Sequence, residues 1–136
     1  MNDLSHIDEP GLKRLVHAFY ARVREDPELG PIFNRAIADW PEHLEKLHAF
    51  WSSVMLTSGR YKGQPVPAHV KHRESITPAL FDRWLALWGK TARELMTSEA
   101  AAELEAKAAR IAESLQLAMF FRLDAQRAAP SAGRAR

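Results

Sequence analysis

Three residues of this sequence could do chemistry because of their types and positions: Tyr20, His43 and Trp84. Each places a hydrogen-bonding side chain on an apolar stripe of helical spacing, and such a stripe faces the interior of a protein. The apolar neighbours on the stripes are, in chain order, Val16 and Phe19, then Leu47, Phe50 and Val54, then Leu80, Phe81 and Trp88. This arrangement predicts a pocket for a polar ligand or cofactor rather than a purely apolar core.

Each of these side chains has a simpler interpretation when it is taken alone. A single tyrosine commonly buries its ring and brings its hydroxyl to the rim of the core. A buried helical histidine is commonly a core residue with a satisfied hydrogen bond, and Trp84 alone is typical of a core. Only the coincidence of the three favours a pocket. His17 and His48 lie off the apolar stripes, and we interpret both as surface residues.

His69 differs from the other histidines because it ends the segment GQPVPAH, in which Pro65 and Pro67 restrict the backbone. A neutral imidazole nitrogen is the usual protein ligand of a haem iron. His72, three residues further along, stays open as the alternative. The sequence contains no H-E-x-x-H, G-x-S-x-G, G-x-G-x-x-G or Walker motif, so it gives no basis for a zinc site, a serine hydrolase or nucleotide binding.

The elements that position these residues are predicted to be helices throughout. Asp8 is a good N-cap for a first helix that ends at Asp26, and Asp39 caps a second long helix over about residues 41–55. A third helix begins at Thr77, and a fourth is capped by Thr97 or Ser98. The intervening segments are a short helical piece at residues 29–37 and an irregular stretch at residues 57–75 that allows at most one short helix.

The composition is that of one globular domain. The chain has 136 residues, of which 46% are hydrophobic and 26% charged. It contains no cysteine, which excludes disulfides, thiolate metal sites and cysteine nucleophiles. The N-terminus lacks the features of a signal peptide, and no apolar run approaches the ~20 residues of a membrane span. We therefore expect a cytoplasmic protein.

The net charge of +2 is explained by the C-terminal tail. From Asp124 onward the chain contains one acidic residue and three basic residues, Arg127, Arg134 and Arg136. The rest of the chain is therefore near neutral in net charge. A near-neutral body gives poor support for nucleic-acid binding. We predict one domain over residues 1–123 and a disordered basic tail over residues 124–136.

Several segments of the sequence resemble the group III truncated haemoglobins. They are HAFYARV (17–23), LGPIF (29–33), WPEHLEKLHAFWSSVML (40–56), GRYKGQPVPAH (59–69) and FDRWLALW (81–88). The segments stand in the order of that family, and the resemblance covers residues 12–121, which is most of the chain. It implies an all-α fold, a truncated globin whose helices form a two-over-two sandwich around a b-type haem.

The resemblance also implies roles for the polar residues singled out above. His69 would be the proximal ligand of the haem iron, with His72 as the alternative. Tyr20 would be the distal tyrosine whose hydroxyl faces the bound gas. Trp84 would supply its indole N–H to the same distal pocket.

Other matching residues would shape the rest of the pocket. His43 would stand at its mouth, where the side chain can turn between pocket and water, and we expect it to act as a gate. Leu47 would be the apolar residue one turn further in, and Phe33 would pack against the porphyrin. Trp51 would be a helix-packing tryptophan in the core.

Hydrogen-bond donors in such a pocket imply ligand retention. A donor to a partly charged ligand contributes about 1.5–3 kcal/mol, or roughly ten- to hundredfold in affinity. Two donors favour retention of O₂ and redox turnover or detoxification of O₂, NO or peroxide, with an unidentified reductase, over oxygen delivery. The chain has no dedicated catalytic motif, and the pocket allows peroxidase-like or NO dioxygenase-like side activity. The alternative is a haem-free helical sensor or interaction module on a globin-like fold.

Overall fold

The structure, a computed structural model, describes residues 7–65, 69, 72 and 74–121. Its helices are α1 (Glu9–Glu25), α2 (Leu29–Ala36), α3 (Trp40–Leu56), α4 (Pro78–Leu95) and α5 (Ser98–Gln116), and a π-helical segment follows at Leu117–Phe121. Pro65 and His69 are also in helical conformation. No strand occurs in the part of the chain that the structure describes, so the predicted all-α class is confirmed.

Capping side chains begin the four long helices where the sequence predicted. Each accepts a hydrogen bond from the backbone N–H three residues further on, which satisfies one of the free donors of the first turn. The caps are Asp8 for α1, Asp39 for α3, Thr77 for α4 and Thr97 for α5. Thr97, rather than Ser98, is therefore the cap of α5.

Helix α1 lies at the centre of the fold. It packs against α2, α3 and α4, and α4 packs in turn against α5. The buried residues of α1 are Gly11, Leu12, Leu15, Val16, Phe19, Tyr20 and Val23. Helices α3 and α4 meet through Trp51 and Trp88, whose stacked rings have centroids 4.4 Å apart. Trp51 is 1% exposed, which confirms its predicted place in the core.

A carboxylate at the corner between α1 and α2 fixes the direction of α2. Asp26 accepts hydrogen bonds from the backbone N–H groups of Glu28 and Leu29 and from Arg83 Nε, at 3.0, 2.9 and 2.7 Å. The Arg83 contact is the main reason that the pKa of Asp26 falls to about 2. A Cβ atom on Gly30 would lie 2.6 Å from a carbonyl oxygen in the last turn of α1, so this close approach needs glycine.

His48 corrects one of the surface predictions. His17 is exposed as predicted, but His48 is half-buried and its Nε2 lies 2.9 Å from Glu9 Oε1. The fully buried Ser52 donates to the other oxygen of the same carboxylate at 2.7 Å. The surface interpretation was wrong because α3 crosses the start of α1, and the sequence separation of Glu9 and His48 hides this crossing.

Some sequence predictions concern residues that the structure does not describe. The domain boundary at residue 123 and the tail over residues 124–136 lie outside the described residues. Pro67, one of the two prolines that precede His69, also lies outside them. Among the described helices, none has the length and apolar character that crossing a membrane requires.

Candidate functional site

Tyr20 lies where α1, α2 and α4 come together. Its side chain is 4% exposed. Its ring centroid is 4.6 Å from that of Phe19, in an edge-on arrangement, and 5.9 Å from that of Phe33 on α2. Phe19 also meets Trp84 of α4 edge-on at 5.7 Å. The structure therefore brings Tyr20, Phe33 and Trp84 to one apolar corner, although they come from three different helices.

The indole of Trp84 lies near the hydroxyl of Tyr20 and acts on its ionisation. Burial raises the pKa of Tyr20, and a side-chain hydrogen bond from Trp84 opposes this rise. An indole N–H can only donate, so the phenol oxygen is the acceptor and its own proton is left to donate elsewhere. Among the described residues, no atom accepts that proton. Because buried polar groups normally have partners, this donor fits a small ligand with an acceptor atom.

The imidazole of His69 is held in one tautomer by the backbone. Its Nδ1 lies 2.7 Å from the carbonyl oxygen of Pro65. A carbonyl oxygen can only accept, so Nδ1 carries the proton and Nε2 is left as a free base. Burial is the main cause that lowers the pKa of His69, which keeps the ring neutral near pH 7. A neutral imidazole with its second nitrogen anchored in this way is the form that ligates a metal.

No such anchor for the ring of His72 is found among the described residues. Its backbone N–H donates to the carbonyl of His69 at 3.0 Å, which places the two residues on one turn. Its side chain is half-buried, and no hydrogen bond to a described residue fixes the ring. Of the two imidazoles, that of His69 is the one that the described residues hold in a defined tautomer.

His43 lies in the first turn of α3 and is half-buried. Its ring meets that of Trp40 edge-on, with centroids 6.1 Å apart. Its pKa is lowered, first by burial, then by the positive charges of Lys46 and His69, while Glu42 acts in the opposite direction. Because a proton on His69 would disfavour a proton on His43, the two imidazoles lie within electrostatic range of each other.

Trp40 belongs to this corner and was missed by the sequence analysis. It is 7% exposed, and its ring centroid lies 6.2 Å from that of Tyr20. Its indole N–H donates to Asn34 at 3.1 Å, and the guanidinium of Arg24 lies 4.7 Å above its ring. The available signal was the three-residue spacing between Trp40 and His43, which puts both on one side of α3.

Large apolar side chains of α3 and α4 are covered only in part by the rest of the protein. Leu47 lies one turn after His43 and packs, half-buried, against the main core. The other partly buried apolar residues of these two helices are Leu44, Phe50, Val54, Met55, Leu56, Leu80, Trp84, Leu85 and Leu87. Phe33 of α2 is also only partly buried. Such faces suit a flat apolar group, because burying apolar surface stabilises by about 25 cal/mol per Å².

The donor set fits a haem better than a protein-bound metal ion. Within the described residues, no group of three or more histidine, aspartate or glutamate side chains could hold a metal ion. What they offer is a single neutral imidazole, a buried hydroxyl donor and half-buried apolar faces. A haem iron takes four ligands from its porphyrin and needs only one from the protein, so these residues fit the group.

Comparisons with known proteins point to the same conclusion. A model of the bacterial-like globin family matches residues 8–121. The chain is 37% identical over 86 residues to the group 3 truncated hemoglobin ctb of Campylobacter jejuni, an alignment covering 60% of this chain and 67% of that protein. The crystal structure of group III truncated hemoglobin from Campylobacter jejuni superposes with a TM-score of 0.77 at 31% identity, covering 88% of this chain and 96% of that one. This similarity confirms the fold predicted from the sequence.

Proposed function

Because the chain belongs to the bacterial-like globin family, as a group III truncated haemoglobin, we propose that it binds haem b through His69 and holds a small ligand beside Tyr20. Globins bind haem and small diatomic ligands such as O₂, which sets the general function. The observation that carries the proposal is the contact between His69 Nδ1 and the carbonyl of Pro65. It supports His69 Nε2 as the atom that meets the iron.

Tyr20 and Trp84 have different tasks in this proposal. When bound, haem supplies the iron that takes O₂, NO, CO or peroxide, together with the redox chemistry. Tyr20 donates its hydroxyl proton to the ligand, and Trp84 donates to the Tyr20 oxygen, which holds that hydroxyl in its orientation. Because burial raises the pKa of Tyr20, the phenol keeps its proton over the whole physiological range and remains a donor.

Phe33, Leu47 and His43 complete the pocket in this proposal. Phe33 and Leu47 present apolar surface to the porphyrin. His43 acts as the gate, because its position in the first turn of α3 gives the side chain a path to water. Its lowered pKa keeps it neutral near pH 7, and a neutral imidazole tolerates the apolar pocket better than a charged one.

A strong donor beside the ligand favours retention over delivery. We infer redox turnover or detoxification of O₂, NO or peroxide, with reducing equivalents from an unidentified reductase. Peroxidase-like or NO dioxygenase-like activity fits this inference, because Tyr20 can polarise an oxygen-containing ligand. The cytoplasmic location stays a prediction from the sequence.

Haem loading of matched histidine variants tests the proposal. The purified protein should develop a Soret band when haemin is added, and His69→Gly should lose it or bind haem weakly. Added imidazole should restore the band in His69→Gly, because it replaces the missing ligand. His72→Gly is the matched control on the same turn and should bind haem like the parent.

The possible outcomes separate the competing interpretations. If only His72→Gly loses haem and responds to imidazole, the proximal ligand is His72. If the parent takes up no haem at all, the haem-free sensor or interaction module replaces the proposed function.

A further inference from the structure

A continuous series of aromatic rings runs away from the pocket. The indoles of Trp84 and Trp88 are stacked, with centroids 6.2 Å apart and planes at 6°. Trp88 stacks in turn on Trp51 at 4.4 Å. Phe50 meets Trp51 edge-on at 5.6 Å and meets Tyr61 edge-on at 5.3 Å. These five residues form what we call the aromatic series.

The two ends of the aromatic series lie in different surroundings. The inner end, Trp84, lies beside Tyr20 at the pocket corner, where its ring meets that of Phe19 edge-on at 5.7 Å. The outer end, Tyr61, is half-exposed in the segment after α3, where its backbone N–H donates to Ser53 Oγ at 2.9 Å. The next residue, Lys62, is exposed. The series therefore connects the buried corner around Tyr20 with a phenol that water can reach.

Core packing accounts for only part of this arrangement. Trp51 and Trp88 are 1% and 0% exposed, and their burial alone would be reason enough to place them in the core. Packing does not by itself explain why three indoles and the phenol of Tyr61 are joined by ring contacts, with only Phe50 between Trp51 and Tyr61. The sequence contains no cysteine, and it has 4 tryptophans and 2 tyrosines. All of these aromatic residues except Tyr20 and Trp40 belong to the aromatic series.

We propose that the aromatic series carries single electrons between the haem pocket and Tyr61, where a small anionic reductant such as ascorbate is oxidised. The inference rests on the proposed function, because it needs haem in the pocket and a peroxide that reacts there. Indoles and phenols lose one electron more readily than other side chains, so the electron vacancy resides on Trp84, Trp88, Trp51 and Tyr61. Phe50 is not oxidised itself, and it spans the short gap that the vacancy crosses between Trp51 and Tyr61. The positive charge of Lys62 favours an anionic reductant beside Tyr61.

Hydrogen bonds along the aromatic series suit this role. The indole N–H of Trp88 donates to the carbonyl oxygen of Leu104 at 3.1 Å. A carbonyl oxygen is too weak a base to remove the proton, so an oxidised Trp88 keeps it and passes the vacancy on. Tyr61 can release its phenol proton to water when it loses an electron, which makes it the natural end of the route.

The electrons and protons of the complete reaction balance. Hydrogen peroxide accepts two electrons and two protons in the pocket and becomes two water molecules, as its O–O bond breaks. Each electron arrives from Tyr61, which releases its phenol proton to solvent and becomes a neutral radical. A molecule of ascorbate returns one electron and one proton to that radical. One peroxide therefore oxidises two ascorbate molecules by one electron each.

Locating the protein radical tests the inference. Haem-loaded, ferric protein is mixed with hydrogen peroxide, frozen rapidly and examined by electron paramagnetic resonance, and a parallel sample is treated with a spin trap and mapped by mass spectrometry. Because the chain has only 2 tyrosines, Tyr61→Phe and Tyr20→Phe assign any tyrosyl signal without ambiguity. Tyr61→Phe keeps the ring beside Phe50, so the fold and the Soret band should be unchanged.

The parent should show a tyrosyl radical and a trap adduct at Tyr61, and ascorbate should remove the signal. In Tyr61→Phe both should be lost, and the ascorbate-dependent consumption of peroxide should fall. Trp51→Phe interrupts the stacked rings and should reduce the Tyr61 adduct relative to adducts at Trp84. If peroxide is consumed but radicals are found only at Tyr20 and Trp84, the electron route to Tyr61 is wrong. The proposed haem-binding function is not affected by that result. A protein that binds no haem overturns both.

Discussion

The orientation of the Tyr20 hydroxyl makes a sharp prediction about ligand escape. Tyr20→Phe removes one oxygen atom and keeps the ring beside Phe19 and Phe33. A hydrogen bond to a partly charged acceptor contributes about 1.5–3 kcal/mol. Since about 1.4 kcal/mol corresponds to a factor of ten, O₂ should leave the haem-loaded variant at least roughly tenfold faster than it leaves the parent.

Trp84→Phe should have a smaller effect in the parent background. Tyr20 still donates to the ligand in this variant and loses only the polarisation that a second hydrogen bond adds. That cooperative gain is about 10–30% of the bond, which predicts less than about a fivefold change in O₂ dissociation. The smaller ring leaves a cavity, so the loss of stability should exceed that of Tyr20→Phe.

The double variant separates this arrangement from two independent donors. In Tyr20→Phe the indole N–H of Trp84 has lost its acceptor and becomes free to turn to the ligand. Removing Trp84 in that background should therefore accelerate O₂ dissociation more than removing it from the parent. Stopped-flow displacement of O₂ by CO measures all four rates, and a coupling of about 0.5–3 kcal/mol is expected for directly contacting residues.

Two results would refute the reasoning. Equal effects of Trp84→Phe in both backgrounds would mean that the two side chains act on the ligand independently. A larger effect of Trp84→Phe than of Tyr20→Phe would make Trp84 the main donor. Because the pKa of Tyr20 is raised, dissociation from the parent should also be flat between about pH 7 and 9.

Two further predictions concern ionisable groups at the edge of the site. The pKa of His43 is lowered by burial, Lys46 and His69 and raised by Glu42, so protonation and the outward rotamer should appear only below about pH 6.5. In the parent, the rate of CO association should rise below that pH. In His43→Ala, CO association should be faster than in the parent at every pH and should not depend on pH. A parent rate that does not depend on pH would mean that His43 is not a gate. Asp26 has a pKa of about 2 instead of 3.8, so it stabilises the folded state above about pH 4 and this contribution is lost as the pH falls through about 2. Asp26→Asn should lower the free energy of unfolding by about 1–3 kcal/mol at neutral pH, and the difference between the urea curves of variant and parent should shrink in that acid window; a constant difference would contradict the role of its charge.

The fold could be predicted from the sequence because its signals are local. Asp8, Asp39, Thr77 and Thr97 lie at the starts of their own helices, and a cap acts within one turn. The interior positions of Tyr20 and Trp84 follow from helical spacing for the same reason. Both the helices and the candidate residues of the pocket are therefore visible in the sequence.

What the sequence could not give are the contacts between distant segments. The pairing of His48 with Glu9 depends on the crossing of α1 and α3, and no local pattern encodes that crossing. The donor direction from Trp84 to Tyr20 also needs both helices in place. The contact from His69 to Pro65 is local, yet it depends on a backbone conformation that residue types alone do not fix.

The contrast between Tyr20 and His43 explains how one pocket can both hold and admit a ligand. Tyr20 is fixed by aromatic rings on several sides and by Trp84, so its hydroxyl is oriented before a ligand arrives and little reorganisation is needed on binding. His43 has one edge-on neighbour, Trp40. Trp40 is itself anchored by Asn34, so the start of α3 stays in place while the imidazole turns. Ligand access then depends on a side-chain rotation at the rim and not on movement of a helix, which lets access vary with pH while the donor that retains the ligand stays unchanged.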